Sequence, residues 1–234
     1  ILYSNGQFNI AVEEEIVPLK EVIVEADRET HVRGVQMGLD KLSVQTIKQM
    51  PLALGEADII KSILTLPGVQ TVGEAATGFN VRGGSVDQNL ILVSEAPLFN
   101  PAHLFGVFSS VNPDIVRNVE LYKGGIPAQF GGRLSSVMDI QLRDGNKKKF
   151  TGSGGIGPIT GRFNLEGPII EDKASFLLGV RSTYSDWILQ RLPEADFRNS
   201  SAGFMDANAR LSFDLNENNS LFINGYFSDD RFRL

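Results

Sequence analysis

Residues 115–143 read IVRNVELYKGGIPAQFGGRLSSVMDIQLR, and the reading of this stretch decides the fold. Val116 to Tyr122 and Val137 to Leu142 alternate between apolar and polar side chains, the period of a β-strand. Between them stand the turn-forming pair Gly124-Gly125 and a second glycine knot, Phe130-Gly131-Gly132. An earlier block has the same grammar: Gly78-Phe79-Asn80-Val81-Arg82-Gly83-Gly84-Ser85, then Gln88-Asn89-Leu90-Ile91-Leu92-Val93. Two glycines after Arg82 let a strand stop abruptly, because glycine reaches backbone angles closed to residues with a Cβ. A glycine pair alone signals only a turn, so the information lies in the length and order of the two blocks.

In that order the blocks resemble the plug domain of TonB-dependent outer-membrane receptors. Val119, Glu120, Leu121, Tyr122, Lys123 and Gly124 fill a strand of the type IERIEVLKGP, and Phe130, Gly131, Gly132, Val137, Asp139 and Ile140 fill the following YGSGAIGGVINI segment. The earlier block is similar to the family's xxIRG strand and the qnxvLlDGvPl strand after it, with one departure: Ser94-Glu95-Ala96-Pro97 stands where Asp-Gly-Val-Pro is usual. The resemblance covers residues 17–234. It implies an α+β plug, a small mixed sheet with short helices, followed by antiparallel β-strands of an incomplete transmembrane β-barrel. Family barrels have about 22 strands around a plugged lumen.

The resemblance also implies sites and partners. Val17 to Ala26 is similar to the TonB box, so Leu19, Lys20, Glu21, Val22, Ile23 and Val24 would pair as an added strand with the periplasmic domain of TonB. Arg82, Gly83, Gly84, Lys123, Gly124, Gly125, Phe130, Gly131 and Gly132 would be the structural and locking positions of the plug. Arg82 and Lys123 would meet carboxylates on the inner barrel wall. The implied function is energy-coupled import of a nutrient, of siderophore, glycan, peptide or cofactor class, across the outer membrane, with the plug accessible from the periplasm. Outer-membrane lipid surrounds such a protein, and in the SusC-like branch a surface lipoprotein lids it.

Composition narrows the other function classes. There is no cysteine, hence no disulfide or thiol nucleophile, and the two histidines, His31 and His103, leave little material for a metal or catalytic centre. A net charge of −6 disfavours nucleic acid as a partner. The one basic run, Lys147-Lys148-Lys149, reads as a solvated junction between domains. No stretch approaches the ~20 apolar residues of a membrane helix. No catalytic residue, metal or cofactor is expected, and the chain reads as part of a longer precursor.

Four segments follow. Residues 1–16 carry a turn at Asn5-Gly6 and alternation at Phe8, Ile10 and Val12, similar to the end of the carboxypeptidase-regulatory-like β-sandwich that precedes the plug in many Bacteroidetes receptors. Residues 17–33 are the TonB box and a polar tether, 34–146 the plug, and 147–234 the first barrel strands. Within the plug, Ser43 is placed to cap a short helix ending before Pro51, Gly55 to Leu66 reads as an amphipathic helix, and 103–109 as another short one. His103 reads as a loop or helix-start residue. After residue 150 the period becomes two, placing Phe163, Leu165, Phe176, Leu178, Val180, Leu211 and Phe213 on one face, with Tyr184 and Trp187 near a strand end as a membrane-interface girdle. A soluble sandwich shows the same alternation, so a periplasmic binding or sensor module is the alternative; an enzyme is the weaker one. Gly152-Ser153-Gly154-Gly155-Ile156-Gly157 satisfies G-x-G-x-x-G, but Pro158 follows instead of a helix start, so a glycine-rich strand is the better reading.

Overall fold

The computed structural model describes residues 38–50, 56–73, 78–191, 193–194 and 200–233. The strand end expected over residues 1–16 and the expected TonB-box segment, residues 19–24 included, lie outside that range. Strands β1 (Leu39–Ser43), β4 (Asn89–Val93), β5 (Ala96–Pro97), β8 (Val116–Tyr122) and β9 (Ser136–Leu142) make one sheet in the order β1-β8-β9-β4-β5. It is mixed: β4 runs parallel to β9, with Leu90 beside Val137, and the other neighbours are antiparallel. The three strands read from alternation occupy its centre.

Alternation gives this sheet two unlike faces. Leu42, Ile91, Val119, Leu121, Met138 and Ile140 point to one side and bury themselves with Ile47, Ile59, Ile63, Phe79 and Val81. That burial, at about 1.5–3 kcal/mol per large apolar side chain, is the main term holding the domain together. The opposite side carries a smaller group, Leu92, Tyr122 and Val137, with Leu39, Leu90, Ile126 and Phe130 partly buried against it.

The first helix matches the sequence pattern and the second is shorter than it, and their caps show why. Helix α1 (Val44–Gln49) begins where the Ser43 hydroxyl accepts the amide of Thr46 at 3.2 Å. Helix α2 (Ile59–Ile63) begins at Asp58, whose Oδ1 accepts the amide of Lys61 at 2.9 Å, so the expected start at Gly55 is replaced by extended backbone at Glu56. Pairs β2 (Val69–Thr71) with β3 (Phe79–Val81), and β6 (Ala102–His103) with β7 (Phe108–Ser109), complete the domain. The expected helix at 103–109 is instead the hairpin β6-β7. Leu104, Phe105 and Gly106 at its tip all have positive φ, of 48°, 58° and 91°, a left-handed run that no α-helix continues.

The second sheet is an antiparallel array, β10 (Thr151–Ile156), β11 (Thr160–Ile170), β12 (Ala174–Thr183), β13 (Ser201–Asn216) and β14 (Asn219–Arg233), each paired with the next. The G-x-G-x-x-G match lies in β10, an edge strand with no helix after it. Register puts Phe163 opposite Val180, Leu165 opposite Leu178, Phe176 opposite Leu211 and Phe213 opposite Leu221, so the expected apolar face forms as one continuous surface. It stays open: Phe163, Leu178, Val180, Ile223 and Phe227 are all exposed. The short helix α3 (Asp186–Leu189) sits at one rim, where Trp187 donates to the carbonyl of Pro158 at 3.2 Å and Tyr184 to that of Thr160, also at 3.2 Å.

Between the sheets the chain passes Arg143 to Phe150, the junction that holds the lysine run. Lys147 pairs with Asp214 there, while Lys148 and Lys149 are exposed. Gly145 is buried against β12, and a Cβ added to it would overlap the carbonyl oxygen of Phe176. Gly145→Ala must therefore displace backbone, and we expect a loss of about 1–3 kcal/mol, the usual cost of overpacking, seen in the urea-unfolding midpoint of the complete protein.

Candidate functional site

The polar side of the strand array lies against the mixed-sheet domain, and the chemistry of the molecule is concentrated along that contact. On β13 the inward positions are Phe204, Asp206, Asn208, Arg210 and Ser212, all buried. On β12 they are Ser175, Leu177, Gly179 and Arg181. Leu177 joins the core of the mixed-sheet domain directly. Gly179 permits that approach, since a Cβ there would stand 2.9 Å from both Ile115 Cγ2 and Asn164 Oδ1.

Arg181 is the centre of the contact. Its side chain is 1% exposed. Nε donates to Asp206 Oδ2 at 2.9 Å, Nη1 to Glu56 Oε1 at 2.6 Å, and Nη2 to both Asp206 Oδ2 and the carbonyl of Ser109, at 2.5 and 2.6 Å. Its guanidinium carbon lies 5.1 Å from the centre of the Phe204 ring. One side chain of β12 thus holds the segment before α2, strand β7 and strand β13. Glu56 Oε2 and Asp206 Oδ1 are buried without a hydrogen-bond partner among the described residues. His103 stands beside them, stacked on Phe204, with Nδ1 2.6 Å from Asp230 Oδ1. Its Nε2 is 3.3 Å from Asp206 Oδ2 but outside hydrogen-bonding geometry.

Further pairs flank this centre. Arg162 of β11 binds Asp114 at 2.8 Å, Arg143 binds Glu166 at 2.5 Å, and Arg210 binds Asp144 at 2.8 Å. Neutral bonds fill the gaps: Asn112 donates to Asn164 at 3.0 Å, and the Tyr226 hydroxyl to the carbonyl of Ser110 at 3.1 Å. Burial alone would raise the Asp114 carboxyl, but bonding and charge from Lys48, with Arg162 and Asn164, outweigh it and hold the group below the usual range. For Asp144 burial is likewise outweighed, by Ser212 and Arg210.

The residues singled out in the sequence occupy a different place. Lys123 is buried and binds Asp40 of β1 and the carbonyl of Pro67, the latter at 2.7 Å. Arg82, at φ 48°, is exposed and lies over the backbone of Gly124. Among the described residues neither meets a carboxylate of β10–β14, the expected partners being on barrel strands other than these, and Lys123 pairs with an acid inside the mixed sheet. Gly83, Gly125 and Gly132 all have positive φ, the conformation that requires glycine in such turns. Gly84 is packed on Ser135, Gly131 is exposed, and the Phe130 ring lies 5.4 Å from that of Tyr122. These positions shape the outer edge of the mixed-sheet domain and do not touch the strand array.

The second face of the mixed sheet carries acids. Tyr122 donates to Glu120 at 2.8 Å, Lys41 reaches Glu120 at 2.7 Å, and Asp139 sits opposite Glu120 in register. Burial raises the Asp139 carboxyl and the charges of Glu120 and Glu95 add to it, against a hydrogen bond from Gln141. Burial also raises the Tyr122 phenol, reinforced by Glu120.

Residues 39–136 match the family described as the TonB-dependent Receptor Plug Domain. The chain is also similar in structure to the siderophore receptor PirA of Acinetobacter baumannii (18% identity, 90% of this chain and 34% of that one, TM-score 0.63) and to PirA of Pseudomonas aeruginosa (21%, 82% and 35%, 0.58). The alcaligin outer-membrane receptor FauA of Bordetella pertussis is similar too (16%, 85% and 33%, 0.57). The chain spans about a third of the length of these structures. No curated protein sequence matches it.

Replacing Arg181 by Met leaves Glu56 and Asp206 buried without their counter-charge, and we expect it to cost about 3–5 kcal/mol in urea unfolding of the complete protein, the range for breaking one side of a buried ion pair. Lys123→Met should cost less, because the side chain of its partner Asp40 is 19% exposed and gains water in exchange.

Proposed function

We propose that this chain is the plug and the opening barrel strands of an outer-membrane receptor that imports a nutrient with energy delivered by TonB. One observation carries the reading: a plug-domain match over residues 39–136 is followed by a strand array with an open apolar outside and a charged inside, and the inside is bonded to the plug. A soluble sandwich would cover its apolar face, whereas a barrel strand turns it to lipid and its polar face to the lumen.

In this reading the plug faces the periplasm and the strands stand in the outer membrane. Arg181 and its neighbours keep the plug seated; no covalent chemistry is involved. Leu19 to Val24 form the TonB box and pair with TonB as an added strand. The resemblance of residues 1–16 to the end of a carboxypeptidase-regulatory-like sandwich supports a receptor of the Bacteroidetes type, among which a surface lipoprotein partner occurs. The cargo belongs to the classes such receptors carry, siderophore, glycan, peptide or cofactor.

Two experiments address the two halves of the proposal. Leu178→Arg places a charge on the apolar face and should impair outer-membrane assembly, by about 2–4 kcal/mol if the position lies near the bilayer midplane; normal assembly would favour the soluble reading. Val22→Pro removes a ladder amide and should abolish cargo import while surface binding of cargo persists, with Val22→Ala mild by comparison. Normal import by the proline variant would remove residues 19–24 as the TonB box.

A further inference from the structure

Register sets two arginines side by side on the inner face of the strand array. Across the strands one row reads Gly155, Arg162, Arg181, Asp206 and Ser228, each opposite the next. Side chains directly opposite on neighbouring antiparallel strands stand about 4.5–5.5 Å apart at Cβ, and like charges there are destabilising. Arg162 and Arg181 are such a pair. The row itself carries one acid, Asp206, and it accepts from Arg181, through Nε and Nη2. Among the described residues Arg162 has its ion pair with Asp114 instead, outside the array.

The mixed-sheet domain supplies what the row lacks. Asp114 presents Oδ2 to Arg162 Nε at 2.8 Å, and Glu56 presents Oε1 to Arg181 Nη1 at 2.6 Å. Asp114 turns its other oxygen to Lys48 of α1, also at 2.6 Å. Asn164, two residues along β11 from Arg162 and itself buried, donates its amide to Asp114 Oδ2 at 3.3 Å. Gly155 leaves room for the arginine: a Cβ on it would stand 3.1 Å from the guanidinium carbon of Arg162. The wall thus carries convergent donors, Arg162 Nε, Asn164 Nδ2 and Arg181 Nη1, and each of them is met by a carboxylate that belongs to the other sheet domain.

We propose that Arg162, Asn164 and Arg181 form a carboxylate-binding site in the barrel wall, which the plug fills at rest with Asp114 and Glu56 and leaves to another carboxylate when it moves. With the plug seated, its acids cancel the repulsion between the two arginines and so hold β11 to β12. With the plug displaced, Arg162 loses its counter-ion and Arg181 keeps Asp206, so the row is left with one positive charge in excess. A carboxylate is the group that the planar, fixed donors of a guanidinium match in both shape and charge. Cargo bearing such a group would find in the wall the place that the plug acids have vacated. The inference rests on the plug reading in supposing that the two bodies separate. Its test withdraws an acid by substitution and needs neither cargo nor TonB.

The test is hydrogen–deuterium exchange on the complete protein in detergent, read over residues 160–166 and 177–183, the facing stretches of β11 and β12. Asp114→Ala takes a resident carboxylate away and leaves space where it stood. Protection over both stretches should fall about two- to fivefold, the weight of an uncompensated cross-strand charge pair. Sodium formate should restore it, and sodium chloride at equal ionic strength, which screens without filling the site, should not. Adding Arg162→Gln to Asp114→Ala should restore protection without formate and abolish the formate response, because the repulsion is gone. Exchange that ignores formate, or a loss that Arg162→Gln leaves unrelieved, would overturn the site. Should Asp114→Ala fail to assemble, Asp114→Asn, which keeps the volume and removes the charge, takes its place beside Arg162→Gln; relief by the second substitution then supports the site, and its absence overturns it. Import by Val22→Pro does not enter this readout, so failure of the transport reading and failure of the carboxylate site remain distinguishable.

Discussion

A guanidinium removed from water has to be met by acceptors in the plane and directions its rigid fork dictates. Arg181 imposes that requirement on three separate pieces of chain: Glu56 before α2, Ser109 on β7 and Asp206 on β13. Each is placed by its own local structure. Glu56 is fixed two residues before the Asp58 cap, Ser109 by the β6-β7 hairpin, and Asp206 by its register opposite Arg181. The cluster adds little net stability, since desolvation offsets most of the attraction, but it distinguishes the seated arrangement from every other.

The rest of the contact follows the same economy. Leu177 enters the core of the mixed-sheet domain, Phe204 with Ile159 and Ile188 packs on Phe108, Leu104 and Val107, and one glycine, Gly179, lets the backbone come near. Around them the joins are polar, Arg162 with Asp114, Asn112 with Asn164, Arg210 with Asp144. A wide hydrophobic seam would resist separation at any charge state. This one mixes two apolar contacts with polar groups that water can satisfy once they part.

Much of the fold was readable because it is encoded locally. Period-two alternation gave the central strands of the mixed sheet and the apolar outside of the array, and Ser43 gave the start of α1. Helix lengths were less legible. The pattern from Gly55 to Leu66 records which side chains are buried, whereas Asp58 and the turn after Ile63 decide where the helix runs. The contact between the two sheets was not legible at all, because its partners are far apart in the chain: 125 residues separate Glu56 from Arg181, and 127 separate His103 from Asp230. A usable signal did exist in Arg181, Asp206 and Arg210, charges on the inward positions of otherwise apolar strands. Lys123 was rightly singled out as a buried cation, but its acid, Asp40, came from the neighbouring strand of its own sheet.

That neighbouring strand has a mechanical side. Among the described residues β1 is the edge of the mixed sheet, bonded to β8 alone, and the chain enters it at Gly38, whose carbonyl accepts the amide of Lys123 at 2.7 Å. Among the described elements, tension applied to the backbone at Gly38 would meet this strand first. Five residue pairs with β8 and the Lys123–Asp40 pair stand in its path before α1 is reached. Behind them β8 and β9 share a ladder of six pairs, and β9 and β4 a parallel one of five, closed by distant segments. The sheet is therefore graded like a fuse, with an element held from one side at the end where the chain enters and members held from both sides behind it.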